Sequence, residues 1–172
     1  MPHPVLYIFS GLPGGGKTTL ARHLARELSA LHLRIDTIEQ ALRETHGRPL
    51  DGPEGYLIAY RLAEDNLLLG MSVVADSVNP IHLTRAAWRD VAMRTRVPYV
   101  EIEVRCSDAV EHRARVEWRA SDIPSLRLPT WDDVQSREYE PWDADRVIVI
   151  DTAGQTMSQS IESLNRALAA KR

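Results

Sequence analysis

This sequence is short of cysteine, of lysine and of long apolar runs, and each shortage closes off a class of protein. The single Cys106 excludes an internal disulfide and fits a reducing compartment. It ends an apolar, strand-like run, which marks it as a buried bystander rather than a nucleophile. The longest mostly apolar run, Leu67 to Ala75, is broken by Gly70 and Ser72 and is too short to span a bilayer. Met1-Pro2-His3-Pro4 carries no basic leader and enters a strand at once, so a cytoplasmic protein is expected. Charge of one sign is also scarce: a net charge of −3 gives no global pull toward nucleic acid or membrane. Lysine is the sharpest shortage. Lys17 and Lys171 stand against nineteen arginines, so arginine is the default cation and informs little merely by being present. A lysine kept at a special place is then a choice of a compact point charge.

Lys17 occupies such a place. Gly11-Leu12-Pro13-Gly14-Gly15-Gly16-Lys17-Thr18 fits G-x-x-x-x-G-K-[ST], the phosphate-binding P-loop. The apolar Val5–Ser10 precedes it, and Thr19–Leu28 follows with Leu20, Leu24 and Leu28 on one helical face. Glycines let successive N–H groups turn inward as an anion nest, and the following helix adds its N-terminal N–H groups and positive dipole end. Gly11 to Thr18, with Thr19 beside them, are therefore the expected nucleotide-binding residues. Lys17 reaches the β- and γ-phosphates and Thr18 ligates Mg²⁺.

The rest of the chain alternates strand and helix. Strands are expected over Leu31–Ile35, Met71–Ala75, Tyr99–Arg105 and Arg146–Asp151. Helices are expected over Thr37–Thr45, Tyr56–Leu69, Thr84–Arg96, Asp108–Arg119 and Ser158–Lys171, with a short one capped by Thr130 and running through Glu138. Gly and Pro mark His46–Gly55 as a loop and break Ser121–Pro129. With the first strand this predicts an α/β fold: one domain over 1–172, a parallel five-stranded sheet and helices on both faces. Ligands of such sheets bind at the strands' C-terminal ends, which singles out Asp36, Asp76 and Asp151.

Asp76 closes an apolar strand and suits a second Mg²⁺ ligand, or a turn acid. Asp36 suits an N-cap of its helix and also a base or orienting group for an acceptor hydroxyl. Arg113, Arg115 and Arg119 precede the Pro-broken segment, where they are placed to close on nucleotide phosphates or to pair with Glu111 and Glu117. Arg115 and Arg119 share a face and are the catalytic candidates; Arg113 is the nucleotide-binding one. Arg43 and Arg85 are candidate clamps for an anionic part of the acceptor, or surface arginines. Ala153-Gly154-Gln155 suits an adenine-binding loop, or a plain strand–helix connection. The six histidines show no ligand spacing, and no N-K-x-D guanine motif is present, which favours ATP.

These motifs together resemble the small P-loop kinases, the group of adenylylsulfate kinase, chloramphenicol phosphotransferase, gluconate kinase and the 5′-hydroxyl polynucleotide kinase domain. The likeness rests on Gly11–Thr18, Asp36, Asp76-Ser77-Val78-Asn79, Arg113 to Arg119 and Asp151-Thr152-Ala153-Gly154. It is nearest to bacterial AAA-family or kinase-like ATP-binding proteins, through Ala63-Glu64-Asp65-Asn66, Val74 to Pro80 and Leu126 to Trp131. The resemblance implies the three-layer P-loop NTPase fold with strand order 2-3-1-4-5, ATP as donor, and a lid over about 113–130. The expected activity is transfer of the γ-phosphoryl group to a hydroxyl or phosphate of a small-molecule acceptor. The alternative is an ATP-binding switch or assembly NTPase that works through a protein partner. Asp36-Thr37-Ile38 departs from the D-G-D-like segment of adenylylsulfate kinases, and no basic nucleic-acid channel is evident. The sensor motifs and helical lid domain of AAA motors find no room here.

Overall fold

The computed structural model describes residues 3–47, 49–50, 52–143 and 146–171. Five parallel strands form one sheet: β1 (Leu6–Ser10), β2 (Leu31–Arg34), β3 (Val73–Asp76), β4 (Tyr99–Arg105) and β5 (Ile148–Asp151). Their order is β2-β3-β1-β4-β5. The helices are α1 (Lys17–Leu28), α2 (Ile35–His46), α3 (Glu54–Leu68), α4 (His82–Thr95), α5 (Ala109–Trp118), α6 (Trp131–Gln135) and α7 (Met157–Ala170). This is the three-layer P-loop NTPase arrangement.

The pleat of β1 divides the interior. Leu6 and Ile8 face a core shared with Ala59, Ala63 and Leu67 of α3 and Trp88 and Val91 of α4. Tyr7 and Phe9 face the opposite core, with Leu20 and Leu24 of α1 and Leu164 of α7. Alternate side chains point to opposite faces, so a central strand must be apolar throughout, and all five residues of β1 are buried.

Element boundaries differ from the sequence pattern where local chemistry intervenes. Strand β2 ends at Arg34 and α2 begins at Ile35. Asp36 therefore sits in the first helical turn and does not cap it; no side chain caps this helix. Glu54 and Gly55, expected in a loop, open α3. A Cβ on Gly55 would come within 2.4 Å of Glu39 Cγ, so this glycine serves the close packing of α3 on α2 rather than a turn. Arg48 and Asp51 of that expected loop lie outside the described residues. The short helix α6 stops at Gln135, but its Thr130 cap is as expected, with Asp133 completing a capping box.

Candidate functional site

The site is built where β1 turns into α1. Gly11, Gly14 and Gly16 have φ of 140°, 86° and 94°, a backbone that L side chains avoid. Space demands glycine as well. A Cβ on Gly11 would stand 2.1 Å from Val104 O, and one on Gly14 would stand 2.6 Å from Val116 Cγ2. The loop is braced from three sides. Gly11 N donates to Val78 O (3.1 Å), and Asn79 Nδ2 donates to Phe9 O (2.9 Å). His112 of α5 shares a hydrogen bond of 2.8 Å with Pro13 O. Thr152 Oγ1 donates to Gly15 O (2.9 Å) and in turn accepts from Arg115 Nη1 (2.7 Å).

Lys17, Thr18 and Asp76 meet at the head of α1. Lys17 Nζ lies 2.7 Å from Asp76 Oδ1, and Thr18 Oγ1 donates to the same oxygen at 3.3 Å. His32 Nε2 stands 3.2 Å from the other carboxylate oxygen. Asp76 is almost completely buried. Burial pushes its pKa up, but the Lys17 ammonium and the His32 contact outweigh that and hold it well below the usual carboxylate range. Thr18 and Asp76 thus offer two oxygens close together, one of them firmly anionic. That set fits Mg²⁺, which takes oxygen ligands and keeps several waters and phosphate oxygens in its shell.

This cluster opens into a cleft of about 1490 Å³. Leu12, Pro13, Gly14, Gly16, Lys17, Thr18 and Thr19 line one end. Asp36, Arg43, Arg115 and Arg119 line it too, so four further candidates share one space with the phosphate loop. Asp36 Oδ2 is 3.9 Å from Arg34 Nε. Arg43 is held by Glu39 at 2.9 Å, and burial raises the Glu39 pKa against the pull of Arg43. Arg119 Nε is buried with no hydrogen-bond partner, and desolvation lowers its pKa. Arg115 is more committed: it donates to Thr152 Oγ1, Thr152 O (2.9 Å) and Glu111 Oε1 (2.6 Å), bracing α5 against the loop after β5.

Two candidates stand elsewhere. Arg85 is not a clamp for an acceptor. It is 2% exposed and donates to four main-chain carbonyls, of Asn79 (2.9 Å), Pro80 (3.2 Å), Glu140 (2.7 Å) and Pro141 (3.0 Å). Its guanidinium also lies 4.1 Å from the Trp142 ring, so it fastens residues 139–142 to α4. Arg113 does not line the cleft; it is exposed, pairs with Glu117 at 2.7 Å and edges a second, smaller hollow with Trp131. Helical geometry explains the difference, since Arg115 and Arg119 are one turn apart and Arg113 is not on their face. Ala153, Gly154 and Gln155 do not line the cleft either. Gly154 N donates to Glu111 Oε2 (2.8 Å) and Gln155 N to Thr152 O (3.2 Å).

Several residues enter the site without a sequence signal. His32 reaches Asp76 because β2 and β3 are paired, and Arg34, two residues on, lies on the same face. Asp122 accepts from Arg34 Nη1 at 2.8 Å and from Arg22 Nη2. Those hydrogen bonds pull its pKa down to about 2. The alternation of His32 and Arg34 was visible in the sequence; their partners, 44 and 88 residues on, were not.

The model of a family described as "AAA domain" matches residues 6–141. No curated protein matches the chain. Several solved structures do. A gluconokinase from Sinorhizobium meliloti has 16% identity and a TM-score of 0.70, covering 99% of this chain and 95% of that one. The APS kinase of Mycobacterium tuberculosis, solved with AMPPNP and APS, has 18% identity and a TM-score of 0.67, covering 98% and 99%. Kti12 of Chaetomium thermophilum, solved with ADP-AlF3, has 23% identity and a TM-score of 0.68, covering 96% and 98%. At these identities the likeness is one of fold.

Proposed function

The chain belongs to the AAA-domain family and shares the fold of the small P-loop kinases, and from that premise we propose that it transfers the γ-phosphoryl group of ATP to a small-molecule acceptor. One observation carries the reading. Lys17 and Thr18, with Asp76 buried behind them, and Asp36 line the same cleft, about 1490 Å³ in volume. Single-ligand pockets run to about 1,000 Å³, so a second ligand fits beside a nucleotide.

The loop N–H groups cradle the phosphates, and Lys17 turns from Asp76 toward the β- and γ-phosphates. Thr18 and Asp76 would hold Mg²⁺, which would neutralise charge on the transferring group. Asp36 orients the acceptor hydroxyl and takes its proton as the new O–P bond forms. The bond from the γ-phosphorus to the bridging oxygen breaks, and ADP leaves. Arg119, with an unpartnered Nε in the cleft wall, turns onto the transferring group; a positioned arginine contributes about 10³–10⁵ in rate. Within the expected lid of about 113–130, Arg115 and Val116 stay on the phosphate loop and the segment after α5 closes to keep water from the γ-phosphate.

The test is an ATP-consumption screen over metabolite pools, with parent protein and Asp36→Asn. Turnover stimulated by one class of metabolite, and lost in Asp36→Asn although AMPPNP still binds, supports the reading. Transfer by Asp36→Asn near the parent rate removes Asp36 as the base. Slow hydrolysis that no metabolite stimulates sinks the phosphotransferase reading and points to a nucleotide switch.

A further inference from the structure

The carboxylate of Asp122 is held in a particular way. It belongs to the segment between α5 and α6, far along the chain from its partners, yet it sits between two guanidiniums. Arg34 at the end of β2 donates to Oδ1 at 2.8 Å, and Arg22 of α1 donates to Oδ2. Arg22 is one helical turn beyond Thr18, so this fork stands beside the phosphate end of the cleft. All three residues line the cleft. The side chain of Arg34 is 13% exposed, whereas that of Asp122 is 48% exposed. The guanidinium is thus built into the wall, and the carboxylate is laid onto it from outside.

The fork has donors to spare. Arg34 Nε is buried and makes no hydrogen bond, its nearest carboxylate oxygen being Asp36 Oδ2 at 3.9 Å. Arg119 Nε is likewise buried and unbonded. A shielded donor without an acceptor costs free energy unless a ligand supplies one. The charge balance points the same way. The whole chain carries a net charge of −3, yet among the described residues eight cationic side chains line the cleft against five carboxylates. A Mg²⁺-bound triphosphate at the loop consumes part of that excess. Releasing Asp122 would restore more of it next to Asp36.

We propose that Arg22 and Arg34 form an anion subsite, that Asp122 fills it as a tethered stand-in, and that the acceptor carries a carboxylate or phosphate that takes its place. The identity of the ligand as the acceptor rests on the phosphotransferase reading; the anion subsite does not. Guanidinium forks match carboxylate and phosphate oxygens two at a time, which explains why arginine stands here. The acceptor's anionic group displaces the Asp122 carboxylate and collects the free Nε of Arg34. Its hydroxyl then falls near Asp36, two residues further on. In this scheme the lid residue yields only to an anion, so the exchange also selects the acceptor.

Calorimetric titration of the protein saturated with AMPPNP–Mg²⁺ tests this, with inorganic phosphate in one arm and malonate in the other. Asp122→Asn and Asp122→Ala are expected to bind at least one anion about tenfold tighter than the parent. The preferred arm tells phosphate from carboxylate. Adding Arg34→Gln to Asp122→Asn should abolish the gain, while adding Arg166→Gln, which removes a charge from exposed α7, should leave it intact. Equal affinities for parent and Asp122 variants overturn the proposal, and so does loss of binding in the Arg166 control as large as in Arg34→Gln. AMPPNP binding is read first, from the melting temperature. Its failure counts against the nucleotide reading alone, and malonate titration of the nucleotide-free protein still reads the fork.

Discussion

At the residue scale the chemistry converges on Lys17. In the ligand-free protein its ammonium is spent on Asp76 at 2.7 Å, inside the protein. On the proposed reading, nucleotide binding would release Lys17 from Asp76 toward phosphate, leaving the carboxylate free to hold Mg²⁺. Lys17→Ala is expected to abolish the rise in melting temperature produced by ATP–Mg²⁺; stabilisation as large as in the parent would overturn the P-loop assignment. Asp76 makes a second prediction. Its folded pKa lies below the unfolded value of about 3.9, so its contribution is complete above that value and is lost as pH falls through the folded one. Asp76→Asn leaves Lys17 buried without its counter-charge, at a cost of about 3 kcal/mol at neutral pH. Its urea midpoint should then fall less steeply than the parent's between about pH 5 and about pH 2. An identical slope in the two proteins would count against it. The P-loop residues were legible in the sequence because eight consecutive positions carry the whole motif. His32 and Asp122 were not, because each acquires meaning only from a partner more than forty residues away.

At the element scale, α5 decides the shape of the phosphate loop. His112 bonds Pro13 O, Val116 packs over Gly14, and Arg115 reaches Thr152, which holds Gly15 O. Gly14→Ala puts a side chain at φ 86° and drives its Cβ into Val116. The expected cost is about 1–2 kcal/mol from the backbone alone, together with a clear loss of AMPPNP affinity. Thr156→Ala is the contrast. It removes the capping box of α7, whose Leu164 is buried in the core. It should cost about 1 kcal/mol in urea unfolding and leave AMPPNP affinity unchanged. If both variants bind AMPPNP like the parent, α5 is not the brace. Helix periodicity located α5 to within a residue at each end, since Asp108 and Arg119 prove to be its caps. Periodicity said nothing of what α5 presses on. It also misassigned Gly55, because a glycine required by helix packing and a glycine required by a turn look the same in one dimension.

At the scale of the whole molecule, the cleft lies between the sheet's C-terminal edge and the segment after α5. Trp118 marks its rim: it is 87% exposed and lines the opening beside Arg119. Closure of the segment after α5 over a nucleotide would bury that ring. AMPPNP–Mg²⁺ is then expected to shift tryptophan emission to the blue in the parent and not in Trp118→Phe. Unchanged emission in the parent would argue against a closing lid. Among the described residues no helix is long and apolar enough to cross a membrane.

The sequence by itself determined the α/β class and the phosphate-loop end of the cleft. Strand and helix periodicity and the P-loop are local patterns, set by the backbone's own geometry. Strand order, which the family likeness had to supply, is not written in any one strand: β1 and β3 are both buried throughout, and pairing alone puts β1 at the centre. Only the tertiary structure decided which arginines belong to the cleft. Arginine is this chain's commonest cation, so its presence carries little information and its partners carry nearly all. Arg85 ends on four carbonyls, Arg113 on Glu117, and Arg34 on an aspartate that the fold brings from the far side of the cleft.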